Sequence, residues 1–355
     1  MDDNLKPKDT AECGTSRREL LKTLGVAGAA TMLARSKIAA QDGAPAPRNI
    51  VDVHQHYQAP FERGADSSRW NAAKVMDLMD KNGIGTVIIS GGAYGDQVYT
   101  GTEAGRTMAR KLNEYAAKIV SDHPKQFGFF AVVPYPDAEG SLREIEYAYD
   151  TLKADGVGIL SSISDKWPGD PAFLPAFQEL NRRKAVAFIH PYVPKCCRDL
   201  IPYGEASVER DFDTTRAVTN LLYSGTLAKL PDIRYIINHS GAAVPVMAGR
   251  IKDRVPGASS YGAKPQTEGK TPNTPNGVFY ELQKLYYEVA HAAYPAAMAA
   301  LMKFAAPSQY LFGSDFPAED PANTLRELRA NGLSPQVARG LYRGNAERLF
   351  PRLKT

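Results

Sequence analysis

The sequence predicts an α/β fold, specifically a (β/α)8 TIM barrel distorted by long loops after its fifth and sixth strands. Two observations carry that expectation. From residue 49 to about residue 352, eight short segments rich in β-branched and aromatic residues alternate with helix-like stretches. That alternation builds parallel βα units, and eight of them suggest closure. Four of the six histidines and one aspartate fall at the C-terminal ends of these segments, which in a closed barrel meet at a single mouth. An open doubly wound sheet would need a glycine-rich phosphate turn after the first strand, where this chain has His54-Gln55-His56-Tyr57.

The chain begins with a segment unlike the rest. Paired arginines (Arg17-Arg18), a weakly apolar run from Leu24 to Leu33 and the small-residue end Ala39-Ala40 read as a twin-arginine export signal over residues 1–40. A Gly/Pro/Ala linker covers 41–48, and the barrel domain is expected over 49–352. The expectation is a periplasmic or otherwise exported protein. Removing residues 1–40 takes away seven Lys/Arg and five Asp/Glu, so the formal charge falls from +4 to +2. Such a balance argues against nucleic-acid binding. No apolar stretch is long enough to span a bilayer, so no membrane integration is expected after cleavage. Only Cys196 and Cys197 follow the leader, and adjacent cysteines make no disulfide framework.

Strands are predicted at Ile50–His54, Thr86–Ser90, Phe127–Val133, Val157–Leu160, Val186–His190, Tyr235–His239, Leu285–Val289 and Tyr310–Phe312. Helices are predicted at Asn71–Lys81, Gly105–Asp122, Gly140–Ala154, Pro171–Arg183, Arg216–Leu230, Ala292–Phe304 and Pro321–Asn331. Several open with Pro, Ser or Asp and close on Gly, as at Lys81-Asn82-Gly83. The long connections are Pro191 to about Thr215, and Gly241 to about Glu281, the second read as an irregular loop over the barrel mouth.

Side chains two apart on a strand point the same way, so His54 and His56 would share a face at the exit of strand one. His190 ends strand five, His239 ends strand six, and Asp315 in Gly313-Ser314-Asp315-Phe316-Pro317 follows strand eight. A lone strand-end histidine is ordinarily a capping residue. Matching phase at several strand ends points instead to a metal site. Asp52 shares the alternation of His54 and His56, which suggests a partner that fixes an imidazole, or else a purely structural carboxylate.

Together, His54-x-His56, His190-Pro191, His239-Ser240-Gly241 and the Gly313–Pro317 motif resemble the amidohydrolase superfamily over roughly residues 50–350. Within it they are similar to the metal-dependent decarboxylases of aminocarboxymuconate semialdehyde, γ-resorcylate and 6-methylsalicylate. The resemblance implies that His54, His56, His190 and Asp315 hold one divalent metal and that His239 is an acid/base beside it. Three imidazoles and a carboxylate suit zinc, with manganese or iron compatible. The end of strand four, Ile159-Leu160-Ser161-Ser162, lacks the lysine that bridges binuclear members, which favours a single ion.

The activity this implies is non-oxidative decarboxylation of an aromatic or enol carboxylic acid, with His239 or Asp315 supplying the proton. The alternative is hydrolysis of a lactone, ester or amide by the same centre. An inactive binding protein that kept the barrel is a third reading, disfavoured because all five site residues are present. A carboxylate substrate calls for a cation, for which Arg63, Lys195 and Arg198 are candidates. His291 and Tyr94 are further candidates for substrate contact, and a homodimer is expected from the resemblance.

Overall fold

The computed structural model describes residues 49–354 except 63, 67, 92–96, 199, 201–203 and 258–267. The expected export signal and linker, together with Arg63 and Tyr94, lie outside the described residues. Eight parallel strands run in the order β1 to β8 around one sheet: β1 (Ile50–His56), β2 (Ile84–Ser90), β3 (Phe127–Val132), β4 (Gly156–Leu160), β5 (Val186–His190), β6 (Arg234–Ile237), β7 (Tyr286–Glu288) and β8 (Tyr310–Leu311). This is the (β/α)8 barrel that the alternation predicts. Almost every strand residue is buried, as expected where helices cover one face of a parallel sheet and the barrel interior the other.

The last strand is only two residues long, yet the chain beyond it closes the ring. Phe312 O accepts from Val53 N at 3.0 Å, Asp315 N donates to His54 O at 2.7 Å, and Phe316 O accepts from His56 N at 2.8 Å. On its other edge, against β2, strand β1 contains a bulge. Asp52 lies opposite Val87 and Gln55 opposite Ile89, so two residues of β1, Val53 and His54, share the one position facing Ile88. Simple alternation therefore fails here, and Asp52 does not share the face of His54 and His56. Its side chain turns to the seam, where it accepts from Ser314 Oγ (2.6 Å), Ser314 N (3.1 Å), Gln55 Nε2 (2.8 Å) and His54 N (3.1 Å).

Below the mouth the barrel is filled with hydrocarbon. Val51, Val53, Ile88, Phe130, Val186, Phe188, Ile236 and Leu311 form one inner cluster, capped by Ala346, Leu349, Phe350 and Leu353. Phe130 stacks on Phe188 at 5.5 Å between ring centroids and meets Phe350 at 6.0 Å. Arg352 fastens this plug through an ion pair with Asp155.

The helices are α1 (Ala72–Asn82), α2 (Glu103–Asp122), α3 (Ala138–Glu146), α4 (Leu174–Arg182), α5 (Glu209–Tyr223), α6 (Thr226–Lys229), α7 (Val244–Asp253), α8 (Val278–Gln283), α9 (Pro295–Phe304), α10 (Pro321–Arg329), α11 (Pro335–Arg339) and α12 (Asn345–Leu349). Their start and stop chemistry is that of the sequence: Asn71 and Asp137 cap α1 and α3 through their side chains, and Gly83, at φ 69°, ends α1. Three predicted stretches differ. The helix expected to Ala154 changes to a π turn over Tyr147–Thr151, and the one expected from Arg216 starts earlier, at Glu209. Gly225, at φ 78°, separates α5 from α6. The connection after β6, read as irregular, contains α7 and α8, whose Pro245, Gly249 and Gly277 disguise them among breakers. No helix among the described residues is long and apolar enough to cross a membrane.

Candidate metal centre

The bulge in β1 turns His54 and His56 together into the mouth. Their Nε2 atoms lie 3.3 Å apart, and Asp315 Oδ1 sits 3.1 Å from the first and 2.9 Å from the second. His190, at the end of β5, brings its ring to 4.5 Å from that of His56 and 5.3 Å from that of His54. All four residues are buried, and one donor atom from each lies within 4.8 Å of the others. The expected ligand set is thus brought together by three separate stretches of chain, β1, the end of β5 and the turn after β8.

Three observations show that a cation fits. Asp315 Oδ1 and His190 Nδ1 are buried without a hydrogen-bond partner. His54 has its other nitrogen, Nδ1, 2.9 Å from Glu288 Oε1, so its Nε2 lone pair faces His56 and Asp315. His56 Nδ1 is 3.0 Å from Ser90 Oγ, which itself donates to Gln55 O, so Ser90 accepts from the ring and leaves Nε2 as a lone pair as well. Carboxylates or hydroxyls behind metal-binding imidazoles fix the tautomer in this manner.

The electrostatics agree. Burial pushes His56 down, and burial reinforced by His56 and His54 pushes His190 well below its usual value, so both favour neutral rings. Burial would depress His54 too, but the carboxylates of Asp315 and Glu288 outweigh it and push it up to about 10, so without an ion this ring holds a second proton on Nε2, where a cation would take its place. Asp315 is held well below the usual carboxylate range despite burial, by the charge of His54, by its hydrogen bond to His291 and by the neighbouring His56. Two buried anions thus call for positive charge at one point. A divalent ion coordinated there answers the demand.

His239 stands beside this cluster, 4.0 Å from Asp315 Oδ2 through Nε2. Its Nδ1 lies 2.7 Å from Asp211 Oδ1, and its Nε2 is buried without a hydrogen-bond partner. His291 Nε2 lies 3.0 Å from Asp315 Oδ2, so this loop histidine does join the site. His239, His291 and Asp315 have φ of 49°, 54° and 61°, a left-handed backbone that non-glycine residues adopt sparingly and that clusters at functional sites. Arg198 packs instead on Tyr192, donating to its hydroxyl at 3.2 Å, beside a cavity of about 170 Å³.

Several site residues carry no sequence pattern of their own. Glu288 is fully buried and accepts from His54, His239 N (2.8 Å) and Ala290 N (2.7 Å), tying β1 and β7 to the turn after β6. A glutamate closing an otherwise apolar strand was the available cue. Asp211, on the first turn of α5, and Ser90, at the end of β2, look ordinary in sequence because only the barrel brings them near a histidine.

A barrel with buried His and Asp donors at its C-terminal mouth defines a metal-dependent class, and comparison names it. The family model described as amidohydrolase matches residues 51–352, and the chain belongs to that family. It is 33% identical over 324 residues to a 6-methylsalicylic acid decarboxylase from Penicillium expansum, covering 86% of this chain and 97% of that one. Among solved structures, 5-carboxyvanillate decarboxylase from Sphingomonas paucimobilis superposes with a TM-score of 0.74 at 21% identity, over 85% of this chain and 99% of that one. A dihydroxybenzoic acid decarboxylase from Polaromonas sp. JS666, solved with manganese and the inhibitor 2-nitroresorcinol, gives 0.72 at 20% identity, over 86% and 98%.

Proposed function

We propose that this protein is a metal-dependent, non-oxidative decarboxylase of a small aromatic or enol carboxylic acid, a carbon–carbon lyase. The observation that carries the reading is the unpartnered Nε2 of His239 standing beside the four-residue donor cluster. Decarboxylation leaves an electron pair on carbon, so the site must offer a cation to draw on that density and a proton to quench it. His54, His56, His190 and Asp315 would hold the ion, which supplies positive charge to orient and activate an anionic substrate. Asp211 fixes His239 with its proton on Nδ1, so that Nε2 takes up and delivers the second proton toward the substrate carbon. Asp315 Oδ2 faces both His239 and His291 and offsets the charge that His239 gains.

The relatives' activities support decarboxylation over hydrolysis of a lactone, ester or amide. Carbon dioxide release from 6-methylsalicylate and 2,6-dihydroxybenzoate tests it. Turnover of lactones or aryl esters without carbon dioxide release would overturn the reading. On donor chemistry the ion is zinc, and elemental analysis of purified protein decides between zinc, manganese and iron. We further propose export of the folded chain through the twin-arginine route, checked by fractionation of an Arg17→Lys/Arg18→Lys variant, and a homodimer, checked by light scattering.

A further inference from the structure

Asp315 offers its two oxygens to two different groups of imidazoles. Oδ1 serves His54 and His56, while Oδ2 lies 3.0 Å from His291 Nε2 and 4.0 Å from His239 Nε2. His239, His291 and Asp315 form a second set whose donor atoms lie within 4.8 Å of one another. The two imidazoles meet edge-on, with ring centroids 5.0 Å apart. We propose that this second set is a zinc site in its own right, and that zinc bound there switches the enzyme off by taking the nitrogen His239 needs for proton transfer. The proposal rests on the reading of the first cluster as a resident metal centre.

Two features beyond proximity point to a cation. His239 is a buried side chain whose Nε2 has no hydrogen-bond partner and lies 4.0 Å from Asp315 Oδ2. Each imidazole also has a carboxylate at its other nitrogen: Asp211 lies 2.7 Å from His239 Nδ1, and Glu319 lies 3.8 Å from His291 Nδ1. Asp211 repeats the arrangement of Glu288 behind His54, the geometry that orients metal-binding histidines and strengthens their basicity, while Glu319 is near His291 without a hydrogen bond. Coordination requires a lone pair on His291 Nε2, which now shares a proton with Asp315 Oδ2. Moving that proton to Nδ1 turns it to the partly exposed side of the ring, 3.8 Å from Glu319. Asp315 would then offer one oxygen to each donor set. Two imidazoles and one carboxylate favour zinc over manganese, so the second site should distinguish the two.

The test uses the full chain stripped with a chelator and titrated with Zn²⁺ or Mn²⁺, following bound metal by elemental analysis and calorimetry. Two zinc ions but one manganese ion per chain are expected at saturation. The second equivalent of zinc is expected to lower carbon dioxide release by about a hundredfold, the scale of a lost general acid. His291→Ala should weaken only the second zinc, by tenfold or more, while its intact first equivalent reports a folded site. Glu319→Gln, a milder change on a partly exposed residue, should weaken the second zinc about tenfold. Saturation at one zinc, or a second zinc indifferent to both variants, overturns the inference and leaves the first centre standing. Binding of no ion at all overturns both.

Discussion

The two halves of the barrel interior are built from the same strands and obey opposite rules. The lower half is hydrocarbon: Phe130, Phe188, Ile236 and Leu311 pack under a C-terminal plug and carry no polar atom. The upper half buries five site residues with titratable side chains, His54, His56, His190, His239 and Asp315, plus Glu288 behind them. The change takes place between adjacent residues of β1, where Val53 belongs to the floor and His54 to the mouth. Burying apolar surface favours folding at about 25 cal/mol per Å², whereas burying unpaired charge opposes it. The floor therefore stabilises the barrel while the mouth draws on that stability, and a bound cation returns part of it.

That contrast can be broken experimentally. The largest effect is expected at the ion ligands: a His54→Ala/His190→Ala variant should lose its metal by elemental analysis and its activity to background. Retained metal would remove the ligand assignment. Next, Phe130→Ala should cost about 3–5 kcal/mol in urea unfolding by leaving a cavity under the mouth. The folded fraction should keep its ion affinity within a few-fold, and a parallel loss of affinity would mean floor and mouth are one unit. Smaller is Asp211→Asn, expected to lower kcat about ten- to a hundredfold with metal content unchanged, because the amide supports the wrong tautomer of His239. An unchanged kcat would separate Asp211 from proton transfer.

The smallest effect concerns Asp213, a buried carboxylate on α5 that accepts from Ser161 and Trp167 near the mouth. Burial raises it above 3.8, against those hydrogen bonds. The folded chain therefore holds this proton more tightly than the unfolded chain. Its contribution to stability is full below pH 3.8 and is lost as pH rises through the raised value. Asp213→Asn should flatten that part of the pH–stability curve, and an unchanged slope would show that another group causes it.

The strand-end histidines and Asp315 were legible in the sequence because a parallel barrel converts sequence phase into position. Strand β5 shows this plainly: its apolar run ends on His190, and the structure puts His190 at the mouth. Asp52 shows the limit. Alternation places it with His54, and a single inserted residue moves it to the seam, where it positions Ser314. Bulges leave little trace in side-chain pattern because they are set by pairing with a neighbouring strand. Asp211 was illegible and Glu288 showed only as an acid closing an apolar strand, for a related reason: their partners are 28 and 234 residues away.

The ring closes through Val53 N, His56 N and Asp315 N, amides that flank or belong to the candidate ligands. Locking the last strand and seating an ion are then one event, and amide exchange at those three positions becomes a clock for metal occupancy. Saturation at a thousand times Kd slows seam opening by about 4 kcal/mol, roughly a thousandfold in exchange rate, while Phe130 and its neighbours should register only global unfolding.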